Sequence, residues 1–163
     1  MTFNWLDYVL IGAVATVAAI QFLRCTKDFS RVLYETVFVV GAVVAATRLL
    51  QPLADLTGLS APLLFGGCGL LLVLVGLILA ALCNNFVPFG LGVFNYFFGL
   101  FLAVACGYAL GHLALRTANL AVSPHSAAFA RAVRHSLMAR DLLYFGTFTE
   151  VLAFLRFARW KGI

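Results

Sequence analysis

One stretch constrains this chain more than any other: the apolar run from Phe89 to Leu115. It holds about 27 residues, where roughly 20 predominantly apolar residues cross a bilayer core. Such a run is a membrane span rather than a soluble helix. Within it Gly99, Ala103, Gly107 and Gly111 recur at a spacing of four, and residues four apart share one face of an α-helix. Phe94, Phe97, Phe98, Leu100, Phe101, Leu102, Val104 and Leu110 surround that stripe with bulk. In a bilayer no hydrophobic effect draws spans together, and small residues promote association by letting backbones approach closely. Gly99, Ala103, Gly107 and Gly111 are therefore read as a helix-packing face, turned toward another helix of this chain or of a partner.

Composition extends the reading to the whole chain. The apolar fraction is 64% and charged residues are 10%, against roughly 45–50% and about 25% in soluble domains. Mean hydropathy is +1.05. A soluble globular domain is excluded, and 163 residues leave room for about four spans and a short tail. The N-terminus lacks a basic region ahead of its apolar segment and carries Asp7, so the first span is expected to be retained. The four cysteines, Cys25, Cys68, Cys83 and Cys106, stand singly with no metal-ligand spacing and read as small hydrophobes. No cofactor is expected. The net charge of +5, much of it after residue 115, points to anionic lipid headgroups rather than nucleic acid.

In chain order, Trp5 to Leu23 reads as the first span, with Trp5 and Tyr8 suited to the membrane edge. Asp7 lies in the first turn, where a carboxylate meets free N–H groups and the positive helix end. Gly12, Thr16 and Ala19 or Ile20 offer a partly small face. Arg24 to Arg31 is a basic connection. Val32 to Leu50 is the second span, with Gly41 and Ala45 at a spacing of four. Glu35 near its start is placed to pair with Arg31 at the interface, and Arg48 near its end can snorkel. Gln51 to Pro62 reads as a turn-rich connection, Leu63 to Cys83 as the third span, and Asn84 to Gly90 as a short connection. In the fourth span Asn95 is positioned to hydrogen-bond across a helix interface, and His112 is favoured by a nearby helix C-terminus. After Thr117 the composition shifts. Ser126 to Arg140 spaces Phe129, Val133 and Leu137 as one face of a basic amphipathic helix, and Thr147 to Glu150 fits a capping box for another. Both read as interfacial helices lying against the membrane, with Arg131, Arg134, Arg140, Arg156, Arg159 and Lys161 forming a basic membrane-surface tail. The expected fold is all-α and polytopic: a four-span domain over residues 1–116 and a basic amphipathic tail over 117–163.

Asn4-Trp5-Leu6-Asp7-Tyr8 leading into a span resembles the opening of the colicin V production protein (CvpA-like) family. The basic loop from Arg24, and Asn95-Tyr96-Phe97-Phe98-Gly99 with the later Gly107, resemble that family's first loop and its Asp-Arg-x-x-Gly…Gly segment. The resemblance covers residues 4–116 loosely. Cys25 stands where the family has glycine, and Asn95-Tyr96 where it has Asp-Arg. The resemblance implies a multi-pass protein of the bacterial inner membrane, linked to colicin V secretion and envelope maintenance, and it brings no catalytic residues.

Lys and Arg near the first span place residues 24–31 in the cytoplasm and the N-terminus outside; four spans then put the basic tail outside, against the same rule. No Ser/His/Asp, paired-carboxylate or metal constellation assembles from the sequence, so catalysis is not expected. Mid-span positions hold Val, Leu, Ala and Gly rather than the ionisable groups a transport path wants. The leading expectation is a scaffold or envelope-maintenance role. An accessory subunit packed against other membrane proteins, or against copies of itself, is the alternative, and a small transporter or channel component is weaker still.

Overall fold

Asn4 starts the first helix with a capping box. Its side-chain oxygen accepts from the backbone N–H groups of Leu6 and Asp7, and Asp7 accepts the backbone N–H of Asn4. Donors that a helix start leaves unpaired are thus met within the chain, as lipid requires. The computed structural model describes residues 3–144. The described residues form α1 (Trp5–Cys25), α2 (Phe29–Thr57), α3 (Ala61–Phe86), α4 (Phe94–Val122), α5 (Ala127–His135) and α6 (Leu137–Tyr144), with no strand among them. The first four contain apolar segments long enough to cross a membrane. The architecture is an all-α, polytopic membrane fold.

Several helix ends differ from the sequence expectation for identifiable reasons. α2 does not stop before Pro52 but runs through it to Thr57, ending where Gly58 adopts φ 65° and donates to the Ala54 carbonyl. A left-handed glycine is a common helix terminator, and a proline near a helix end removes one backbone bond that neighbours can re-satisfy. Pro62 lies in the first turn of α3, where a missing N–H costs little. The expected twelve-residue connection between spans two and three therefore shrinks to about three residues, Gly58–Ser60, within the usual range of helix–helix connections. α4 starts at Phe94, after a positive-φ Gly92, and continues past Leu115 to Val122.

α4 is the hub. It lies antiparallel to α1, and it also packs on α2 and α3, which form their own antiparallel pair. One core joins Val39, Val43 and Ala46 of α2, Phe65 and Val73 of α3, and Cys106, Ala109 and Leu113 of α4. The outward faces, such as Leu70, Leu71, Leu74 and Ile78 of α3, are exposed, as suits a surface solvated by lipid.

The tail differs most from expectation. Ser126 to Arg140 is not one helix: Ser136 takes an extended conformation between α5 and α6. Its hydroxyl accepts the Ala139 N–H at 2.9 Å and donates to Asp7 Oδ1 at 2.7 Å. The break is met by long-range bonds to the start of α1, where Asp7 also accepts the Met138 N–H. The expected Phe129–Val133–Leu137 face is split by this break: Val133 is buried while Leu137 is exposed. Val133, Ala139 and Leu142 pack with Leu6, Leu10 and Leu115 in a second core.

Candidate functional site

The stripe on α4 faces α1. Gly99 sits against Cys25, and Ala103 is fully buried. A Cβ at Gly107 would stand 2.8 Å from the Val14 carbonyl oxygen, and one at Gly111 would stand 3.0 Å from Val14 Cγ2 and 3.5 Å from Leu142 Cδ2. The four small residues thus share one seam, with α6 closing on its Gly111 end. The small face expected on α1 is turned elsewhere: Gly12 meets open space, and Thr16 caps its own hydroxyl on the Gly12 carbonyl at 2.7 Å. Gly41 and Ala45 likewise line an open groove of about 380 Å³ between α2 and α3.

At one end of the bundle the last turns of α1 and the first turns of α2 assemble a polar cluster. Glu35 is only 4% exposed. Its Oε1 accepts Arg24 at 2.7 Å and Arg31 Nε at 3.1 Å, and its Oε2 accepts Gln21 Nε2 at 3.4 Å. Gln21 also receives Arg24 at 3.2 Å and donates to Cys106 Sγ at 3.5 Å on α4. Glu35 is therefore not the interfacial partner of Arg31 alone, as the sequence suggests, but a buried carboxylate shared by two guanidiniums. Such an arrangement compensates the cost of burying the charge, ties α1 to α2, and opposes the approach of any further cation. Beside it, Asn84 donates to Asp28 at 3.2 Å and Ser30 donates to Asn84. Asn95 does not bond across a helix interface with its side chain. It accepts the Leu91 N–H at 2.7 Å in its own approach turn, while its carbonyl accepts the Cys25 thiol at 3.8 Å.

At the other end α5 and α6 attach to the starts of α1 and the end of α4. Asp7 is 0% exposed, and beyond its cap it accepts Ser136 Oγ at 2.7 Å and the Met138 N–H at 2.8 Å. Asn4 Nδ2 donates to the Ala132 carbonyl at 2.9 Å. From there α6 descends along the seam. The Tyr108 hydroxyl lies 2.7 Å from the Asp141 carbonyl and 2.8 Å from its carboxylate, and His112 Nδ1 donates to the Leu142 carbonyl at 2.5 Å. His112 is fully buried and lies well inside α4, so the carbonyl end it meets is not that of its own helix but the last turn of α6. Arg116 instead stacks over the Phe65 ring at 5.0 Å.

Of the basic tail, Arg131 points along α5 to the Ala127 carbonyl at 3.3 Å. Arg134 and Arg140 line a cavity of about 530 Å³ between α4, α5 and α6. Arg156, Arg159, Lys161 and the Thr147–Glu150 capping box lie outside the described residues. All four cysteines are free thiols, and no group of His, Cys, Asp and Glu among the described residues has the geometry to hold a metal. The Asp7–Ser136 link had a partial signal in the sequence, a carboxylate in the first turn of a span. Nothing local announced its distant partner.

No protein-family model, curated protein or solved structure matches the chain.

Proposed function

We propose that this chain is a small, CvpA-like integral protein of the bacterial inner membrane with a scaffold or envelope-maintenance role and no catalysis. The observation that carries this reading is how the ionisable side chains within the spans are used. Asp7 and Glu35, the two buried carboxylates among the described residues, are both committed to links between elements: Asp7 to α6, Glu35 to Arg24 and Arg31. A transport path is expected to keep such groups on a water-filled cavity. The resemblance of residues 4–8 and 95–99 to the CvpA-like family supports the same role.

An accessory subunit of a larger complex is the second reading, favoured by the open small-residue surface at Gly41 and Ala45. Small residues of this kind let a neighbouring span approach closely. Gentle solubilisation, sizing and identification of co-purifying chains separates the two. Under the scaffold reading the protein migrates alone or as copies of itself, and a strain lacking it shows envelope sensitivity. Recovery in fixed stoichiometry with a defined enzyme complex, or solute flux through the purified protein in liposomes, overturns it.

A further inference from the structure

The cavity between α4, α5 and α6 lies at a definable depth. α1 has 21 residues, about 31 Å of helix, close to the roughly 30 Å of a bilayer's hydrocarbon core. Its start therefore marks a membrane boundary, and the exposed rings of Trp5 and Tyr8 there suit that level. Asn4 is bonded to Ala132, and Asp7 to Ser136 and Met138, so the α5–α6 junction stands at the same boundary. α4 runs the opposite way with Gly107 beside Val14. Trp5 lies nine residues before Val14, and Arg116 nine beyond Gly107. Asn119 and Ser123 then stand about 5 and 10 Å farther out, at headgroup depth.

The walls are chemically divided. Arg134 of α5 and Arg140 of α6 supply two exposed guanidiniums, and both ion pairs among the described residues end on Glu35 at the far end of the bundle. The acid next to Arg140, Asp141, is engaged with the Tyr108 hydroxyl. Ser123 donates to the Asn119 side-chain oxygen at 2.6 Å, so what Asn119 retains for a ligand is its N–H₂ donor. Leu143 and Tyr144 of α6 form an apolar wall. The volume, about 530 Å³, falls within the roughly 300–1,000 Å³ of small-molecule sites. Two guanidiniums lining one cavity favour a phosphate, which accepts bidentate, charge-assisted hydrogen bonds. An apolar wall at headgroup depth favours a phosphate that carries acyl chains.

We propose that this cavity is a binding site for the phosphate of an anionic phospholipid, held by Arg134 and Arg140 with Asn119 as a further donor. The assignment goes beyond the scaffold role and does not depend on it. It also differs from diffuse attraction of a basic tail, because Arg131 on the same helix takes no part.

Thermal unfolding of the full-length protein in neutral detergent, titrated with phosphatidylglycerol, phosphatidylcholine, glycerol phosphate or inorganic phosphate, tests it. Phosphatidylglycerol should raise the unfolding temperature at concentrations where the other three do not. Its half-effect concentration should rise about fivefold in Arg134→Gln or Arg140→Gln and about 25-fold in the double variant, on the usual contribution of a cation near an anionic headgroup. Arg131→Gln should shift it less than about twofold, because an exposed charge with no direct bond to the phosphate is screened by solvent and salt. An equal response to phosphatidylcholine overturns the proposal, as do arginine variants that titrate like wild type. A shift reproduced by either soluble phosphate overturns the lipid assignment in favour of a soluble ligand. Should the double variant fail to fold, the two single variants and the four-ligand comparison on wild type still decide the matter.

Discussion

Replacing Gly107 with alanine adds one methyl group where α4 meets the backbone of α1. That methyl would stand 2.8 Å from the Val14 carbonyl oxygen, 3.4 Å from Val14 Cγ1 and 3.5 Å from the Ala18 nitrogen. Ordinary C···O contacts are about 3.3–3.6 Å, so the helices must part by roughly 0.5 Å or more. A gap of that size forfeits about a quarter to a half of the dispersion attraction across a contact. Overpacking of this kind costs about 1–3 kcal/mol. Against it stands the higher helix propensity of alanine, about 1 kcal/mol. Gly12 supplies the internal control: a Cβ there meets nothing within 4 Å, so Gly12→Ala receives the propensity gain alone. The two alanine variants should therefore differ by about 1–3 kcal/mol, the overpacking term itself. For a chain of this size that is a separation of about 2–4 °C in Tm per kcal/mol. Gly107→Leu should fall further, while Val104→Leu, at a position 48% exposed, should stay near wild type. Thermal unfolding of the four variants in one detergent reads all of this. If Gly107→Ala is as stable as Gly12→Ala, and Gly107→Leu as well tolerated as Val104→Leu, the α1–α4 seam is not close-packed and the reasoning fails.

Three other outcomes follow from the same geometry. Asp7→Ala strands the Met138 N–H and the Ser136 hydroxyl at about 1–3 kcal/mol for each buried group left unpaired, so trypsin should cut at Arg134 and Arg140 faster than in wild type; unchanged cleavage would show that Asp7 does not hold α6 in place. Arg24→Ala or Arg31→Ala alone leaves Glu35 one guanidinium, whereas the double variant leaves a buried charge unpaired, a loss of about 3–5 kcal/mol; denaturant titration should show the double change exceeding the sum of the singles, and strict additivity speaks against a shared carboxylate. Lys27→Cys, in a chain whose Cys68 and Cys83 are replaced by alanine, should resist an impermeant thiol reagent in intact cells, because the positive loop is expected in the cytoplasm; prompt labelling reverses the orientation.

Span existence is a local property. About 20 apolar residues in a row meet the thickness of a bilayer wherever the rest of the chain lies, which is why the four long helices were legible from composition and run length. The spacing of Gly99, Ala103, Gly107 and Gly111 was legible for the same reason: the helical period places them on one face without reference to any partner. Exact ends were less so. Pro52 and the residues after Leu115 read as breaks, but a proline close to a helix end and a polar last turn are both tolerated when the preceding span is already formed.

What the amino-acid sequence determined by itself was thus the number of spans, the small-residue stripe and the basic character of the tail. Tertiary structure decided which partners those features meet. Glu35 looked like half of an i, i+4 pair and became a buried carboxylate holding two arginines, because the short turn from the end of α1 into α2 brings Arg24 within 2.7 Å. Ser136 looked like the middle of an amphipathic helix and became its break, because Asp7, 129 positions away, accepts its hydroxyl. Arg134 and Arg140 became walls of one cavity, while Arg131, three positions before Arg134, did not. The physical reason is common to all three. Helical period and hydrophobic length act between near neighbours in the chain, whereas a polar group withdrawn from water must find whichever partner the packed helices bring within hydrogen-bonding distance.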